Sequence, residues 1–288
     1  MSYKEYDSIQ HPTPYTFELH SAERHLFYFG SPHIFSPDAF AFREICAACD
    51  RFAPDAILVE CVPEISFEAN EADRAAFLSS LPLDSREHSV RLRGEGFLGA
   101  RLAKELGVHI ECPEPNVQTM LTALENEGFT REQIIAMYGV RALGLHANYA
   151  AASAPQIWGN TPDEWCEKRL AMLRRGSNWS PELFSLQTVL QTAKANGVEV
   201  GSQRAQDLAL LTNPALTGDP ESGGLFNTIA RAESVIRDLT IMCRISELTK
   251  THRRVFVIFG VTHAVMQERG LRLLFSDQTK DPCQANPE

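Results

Sequence analysis

The sequence predicts an α/β protein: a mostly parallel central sheet with helices on both faces and a helical insertion at about 116–212. Two observations carry this expectation. Short uninterrupted apolar runs, HLFYF, AILV and VFVIF, alternate with longer segments of helical pattern. Such runs suit strands buried on both faces, as in a parallel sheet. Their order is strand, helix, strand, helix, strand, then a long helical stretch, then helix and strand, which is the layered α/β arrangement.

Each element has its own signal. Residues 1–20 are polar, contain Pro12 and Pro14, and read as a lead-in. RHLFYFG gives the first strand, ending in Gly30, and Pro37-Asp38 opens a helix to about Phe52. DAILVE, 55–60, is a second buried strand. Residues 64–80 read as a helix broken by Leu81-Pro82, residues 94–106 as a helix stopped by Gly107, and GVHIEC as a third strand. In the insertion, Thr130-x-x-Gln133 and Thr161-Pro162-x-Glu164 have the form of capping boxes. Ser180-Pro181 opens another helix, closed by Gly197. NPALTGDPESGG, 213–224, is a loop longer than a plain connection and placed to cover a site. Residues 225–249 form a long helix, RRVFVIFG the last strand, and 276–288 a polar tail.

The chain has 288 residues, 44% hydrophobic and 22% charged, enough for a large core. With 17 glycines and 16 prolines it is neither collagen-like nor low-complexity. No apolar run reaches the length of a membrane span, and MSYKEYDSIQHPTPYTFELH lacks the apolar core of a signal peptide. The formal net charge of −10 argues against a nucleic-acid partner. Seven scattered cysteines read as reduced thiols, giving a cytoplasmic expectation. Cys46 and Cys49 form a C-x-x-C inside a helical segment, where two small residues on one face are the simpler explanation than redox or zinc chemistry.

Two strands end alike. LFYF runs into Gly30-Ser31-Pro32-His33, and VFVIF into Gly260-Val261-Thr262-His263. DAILVE places Glu60 at the end of another buried strand. Parallel strands bring their carboxyl ends to one edge, where ligands bind, so two imidazoles and one carboxylate should share a mouth. Glu111 and Glu114, in HIECPEP, are weaker candidates, and Arg237-Asp238 lies in the long helix before the last strand. An arginine there suits an oxyanion or carboxylate, although the residues alone favour an ordinary surface ion pair. Gly94-Glu95-Gly96-Phe97-Leu98-Gly99 matches G-x-G-x-x-G, but HSVRLR before it is too polar for the buried strand that a dinucleotide fingerprint needs.

These pieces resemble the superfamily joining TraB and GumN proteins, Tiki proteases, erythromycin esterases and ChaN-type haem-binding lipoproteins. The resemblance rests on YFGSPH, DAILVE, GEGFLGARLAKELGVHI, IRDLTIMCRI and VFVIFGVTH, in that order across about 24–275. It implies a single α/β hydrolase-like domain over 1–275 and active-site roles for His33, Glu60, His263, Arg237, Glu95 and Asp238. The sequence departs from the pattern at Pro32 and Thr262, after His263, and at Glu111-Cys112-Pro113-Glu114, where TraB proteins tend to carry an Asp-Arg pair.

The expected function is a hydrolase that activates water at His33, Glu60 and His263 to cleave an ester or amide bond in a small molecule or peptide. These residues suit a divalent metal, Mn, Co, Fe or Zn, and equally a metal-free mechanism in which a histidine held by a carboxylate deprotonates water. The alternative is a protein that binds haem or another cofactor in the same cleft without turnover. No membrane partner is expected, and a homo-oligomer is compatible with the sequence.

Overall fold

The computed structural model describes residues 3–6, 8–21, 23–34, 36–60, 62, 66–67, 71–81, 85–151, 161–200, 205–214 and 224–276. The expected loop at 213–224 and the polar tail at 276–288 fall almost wholly outside these residues. The chain is α/β, and its contacts separate two compact units. One comprises Ile9–Pro115 and Asp238 onward; the other comprises Asn116–Arg237 with the short helix α1, Tyr3–Tyr6. The helical region therefore reaches beyond the expected 116–212, because the long helix before the last strand is shared between the units.

In the first unit the elements run β1 (Tyr15–His20), β2 (His25–Ser31), α2 (Phe40–Phe52), β3 (Ala56–Val59), α3 (Glu71–Ser80), α4 (Arg86–Leu106) and β4 (His109–Glu111). The sheet order is β1-β2-β5-β3-β4, where β5 is Arg254–Gly260. β2, β5, β3 and β4 pair in parallel, and β1 pairs antiparallel with β2. Strand β1 corrects the reading of residues 1–20 as a lead-in: YTFELH alternates along its length, burying Phe17 and Leu19 and exposing Thr16, Glu18 and His20.

The apolar runs lie in the middle of the sheet because both faces are covered. Phe27, Phe29, Ile57, Val59, Phe256 and Ile258 pack on one face against α2 and α4 through Ile45, Cys49, Leu98 and Leu102. Their neighbours Leu26, Tyr28, Leu58, Val257 and Phe259 face the other way. There they meet Ile241 and Ile245 of α10 (Leu225–Thr251) and Leu271 of α11 (Val261–Phe275). The polar ends are paired as well. Buried Glu111 accepts from Arg244 Nε and Nη2 at 2.5 and 2.8 Å. Burial alone would raise the Glu111 pKa, but Arg244 and His109 outweigh it and hold it below the usual carboxylate range. Glu111 is thus a structural anchor of β4.

The second unit has its own core, built from α5 (Val117–Asn126), α6 (Arg131–Ala151), α7 (Pro162–Arg175), α8 (Leu186–Ala195), α9 (Ala205–Leu211) and the first half of α10. Both capping positions expected from sequence are made. Thr130 Oγ1 accepts from Gln133 N while Gln133 Oε1 accepts from Thr130 N, and Thr161 Oγ1 accepts from Glu164 N. Ser180-Pro181 opens a short 3-10 turn, Pro181–Leu183, and the α-helix expected there begins at Leu186 with Ser185 as its cap. Cys46, Cys49, Cys112 and Cys166 are free, but Cys243 is disulfide-bonded, so the reduced-thiol reading does not hold there. Burial pushes the Cys49 thiol up to about 12, which removes the thiolate that redox or metal chemistry needs. No helix among the described residues is long and apolar enough to cross a membrane.

The G-x-G-x-x-G match has a packing role. Residues 94–99 lie inside α4, with no strand before them. A Cβ on Gly96 would sit 2.6 Å from the Glu60 carbonyl oxygen, and one on Gly99 would overlap Val59 and meet Ile258 Cδ1 at 3.1 Å. These glycines bring α4 close against β3 and leave no phosphate turn, which disposes of the dinucleotide reading. Gly99→Ala should therefore lower the urea midpoint of unfolding. An overpacking cost of about 1–3 kcal/mol exceeds the gain in helix propensity of about 1 kcal/mol.

Candidate active site

Three adjacent strands end at one edge of the sheet. The register pairs Ser31 with Gly260 and Val59 with Ile258, so β2, β5 and β3 terminate side by side. The chain leaving them carries His33, His263 and Glu60, the three residues that the sequence assigned to a shared mouth.

Glu60 is buried, and its Oε2 accepts from the backbone N–H of Gly260 at 2.6 Å. Gly260 is also the cap of α11, so the carboxylate sits where the helix presents its partial positive charge. The other oxygen, Oε1, lies 3.5 Å from His263 Nε2. Gly260 is required here by space: a Cβ would meet His33 Nε2 at 2.8 Å and Glu60 Oε2 at 3.2 Å. The bare backbone lets an imidazole and a carboxylate approach over the end of β5.

Each histidine has its Nδ1 taken by a carboxylate. His263 Nδ1–H donates to Asp238 Oδ1 at 2.6 Å. The same oxygen accepts from Gln267 Nε2 at 2.7 Å, and Tyr28 O–H donates to Gln267 Oε1 at 3.0 Å. Asp238, Gln267 and Tyr28 are all buried, which locks the tautomer that turns Nε2 toward Glu60. His33 Nδ1–H donates to Glu95 Oε1 at 2.8 Å, and Glu95 Oε2 accepts from Ile34 N at 3.0 Å. One carboxylate therefore grips both the side chain and the following backbone. His33 has φ 59°, a left-handed conformation costing a non-glycine residue about 1–2 kcal/mol. The Glu95 grip, and Ser31 Oγ accepting from His33 N at 3.2 Å, hold it there. Gly94, at φ 71°, breaks the regular path of α4 immediately before Glu95.

The structure thus joins five of the six residues assigned from sequence: His33, Glu60, Glu95, Asp238 and His263. Arg237 belongs to the helical unit, where it lies near Glu233. Burial would raise the Glu233 pKa, but Arg141 and Arg237 hold it below the usual range, and Tyr138 O–H donates to it at 2.9 Å. Sequence reading missed Gln267 and Tyr28. Gln267 is one helical turn after His263, so the i,i+4 spacing was the available signal.

The arrangement has defined electrostatics. The hydrogen bond to Glu95 raises the His33 pKa from 6.5 to about 9, with burial opposing it and the Glu60 and Glu95 charges adding to it. At His263, a carboxylate faces Nε2 while the Nδ1–H is committed to Asp238. Nε2 and Oε1, 3.5 Å apart, are placed to exchange a proton. The site can therefore hold and exchange protons.

The chain matches no family model, no curated protein and no solved structure.

The His33 shift sets a pH dependence. Its folded-state pKa lies above the unfolded value, so the stabilisation from the Glu95 pair is fully present below about 6.5 and is lost as pH rises through about 9. In an NMR titration of metal-free protein, the His33 ring should titrate near 9. In Glu95→Gln its midpoint should move toward the ordinary value, and the stability difference between the two proteins should shrink above pH 9.

Proposed function

We propose that the protein is a hydrolase of the TraB and erythromycin-esterase type, which activates water at this mouth to cleave an ester or amide bond of a small molecule or peptide. The observation that carries the reading is the convergence of two carboxylate-held histidines on Glu60 at the ends of three adjacent strands.

In this reading His263 Nε2 takes the proton from the attacking water. Asp238 holds the ring in the required tautomer and stabilises the imidazolium that forms. Glu60, fixed by the Gly260 amide, orients the water from the side facing His263. His33, clamped at Nδ1 by Glu95, presents Nε2 over Gly260 to the oxygen or nitrogen that leaves, and donates the proton it needs. The donor types also suit a divalent ion, which His33, His263 and Glu60 would hold with Glu95 and Asp238 orienting the two imidazoles; their donor atoms do not all lie within 4.8 Å of one another, so binding would have to draw the three side chains together. A bound ion of this kind would supply a water acidified to near neutrality.

Turnover of a panel of p-nitrophenyl esters and aminoacyl p-nitroanilides tests the reading. Glu60→Gln and His263→Ala should each reduce kcat/KM by about 10²–10⁴-fold with the far-ultraviolet circular dichroism unchanged. Turnover by Glu60→Gln equal to the parent protein's would remove the proposal. Dialysis against a chelator, followed by Mn²⁺, Co²⁺, Fe²⁺ or Zn²⁺, distinguishes the two forms of the mechanism: activity lost and restored requires the ion, and activity retained assigns the chemistry to the side chains alone.

A further inference from the structure

A second group of histidines lies at the opposite end of the sheet, where β2 begins. Strands β1 and β2 form an antiparallel pair in which His20 lies directly across from His25. Glu18 is two residues before His20, so the pleat puts both on the same face of β1. Both side chains face away from the core, since the buried residues of β1 are Phe17 and Leu19. His25 is more enclosed; its ring stands edge-on to Phe52 at 4.7 Å, which fixes its direction.

The ligand atoms of these three residues converge. His25 Nε2 lies 2.8 Å and His20 Nε2 lies 3.4 Å from the same Glu18 oxygen, Oε2. One atom from each residue lies within 4.8 Å of the other two, and among the described residues this is the one group of three that meets that condition. Donors bound tetrahedrally at about 2.0–2.1 Å from a common ion stand about 3.3 Å apart. The separations from Glu18 already bracket that value. The nearest cation on the neighbouring strand, Arg254 opposite His25, is committed elsewhere: its Nε donates to the carbonyls of Phe52 and Ala53 at 2.8 and 3.1 Å.

We propose that Glu18, His20 and His25 form a metal site for a late first-row divalent ion, with zinc as the representative. Two imidazoles and one carboxylate favour this class over calcium or magnesium, which take mainly oxygen. The exposure of Glu18 and His20 leaves the remaining positions to water. His25 begins β2 and Ser31 ends it, six residues on, so the site lies about 20 Å from the mouth at the carboxyl ends of the strands. The bound ion would join β1, the edge strand, to β2 through side chains in addition to the backbone ladder.

Zinc titration by calorimetry, with thermal unfolding in parallel, tests the site. The chelator-stripped protein should take up one more zinc per chain than His20→Ala, and the zinc-dependent rise in its unfolding midpoint should be lost in that variant. Glu18→Gln should behave in the same way. His20 is exposed, so its removal leaves the core intact, which far-ultraviolet circular dichroism would verify. His263→Ala should keep this zinc, which separates the site from any ion at the mouth. Equal zinc stoichiometry in the parent protein and His20→Ala, or no zinc bound by either, would overturn the proposal.

Discussion

The backbone N–H of Gly260 donates to Glu60 Oε2, and through that bond the end of β3 is tied to the end of β5. The geometry of the mouth depends on it. Glu60 leaves a strand buried on both faces, and at the strand end its carboxylate accepts from the amide that caps α11. The bond orients the second oxygen toward His263. It also requires a residue without a side chain at 260, because the His33 ring fills the space a Cβ would take. A single short backbone contact thus sets the floor over which the two imidazoles, each aimed by its own carboxylate, stand.

Around that contact the mouth carries more negative groups than positive ones. Glu60, Glu95 and Asp238 are all buried, and among the residues at the mouth they face two imidazoles. Buried carboxylates are tolerated when hydrogen bonds satisfy them. Here Glu95 has the Ile34 amide and His33, while Asp238 has Gln267 and His263. The raised His33 pKa is the direct consequence, since an imidazole given to carboxylates is easier to protonate than one in water.

How much of this was legible in the sequence follows from what each residue touches. β2, β3 and β5 were legible because both their faces are buried, which leaves an unbroken apolar run. His33, Glu60 and His263 were legible because each follows such a run within four residues. β1 was not, because it is an edge strand whose alternate residues are polar, so YTFELH passed for a lead-in. That omission hid the Glu18, His20 and His25 group, which exists only once the two strands are paired in register. The glycines of 94–99, whose dinucleotide reading the polar HSVRLR already argued against, mark a close backbone approach, between α4 and the end of β3 rather than to a phosphate. The reach of the helical unit to Arg237 was invisible, because α10 continues across the boundary without a break in helical pattern.

The two ends of the sheet differ in how firmly their side chains are held. At the carboxyl end each histidine is held at Nδ1 by a buried carboxylate, and Asp238 is fixed in turn by Gln267 and Tyr28. Reacting groups need such support, because small displacements of a base or acid cost much of its effect. Glu95 shows the constraint most plainly. It binds the ring of His33 and the amide of Ile34 with different oxygens, so the left-handed turn and the imidazole direction are set together. A shorter carboxylate could not span both contacts from α4, and an amide would turn an N–H toward one of two donors. The residue type at 95 is therefore fixed by the local conformation of the chain as well as by the chemistry of the mouth.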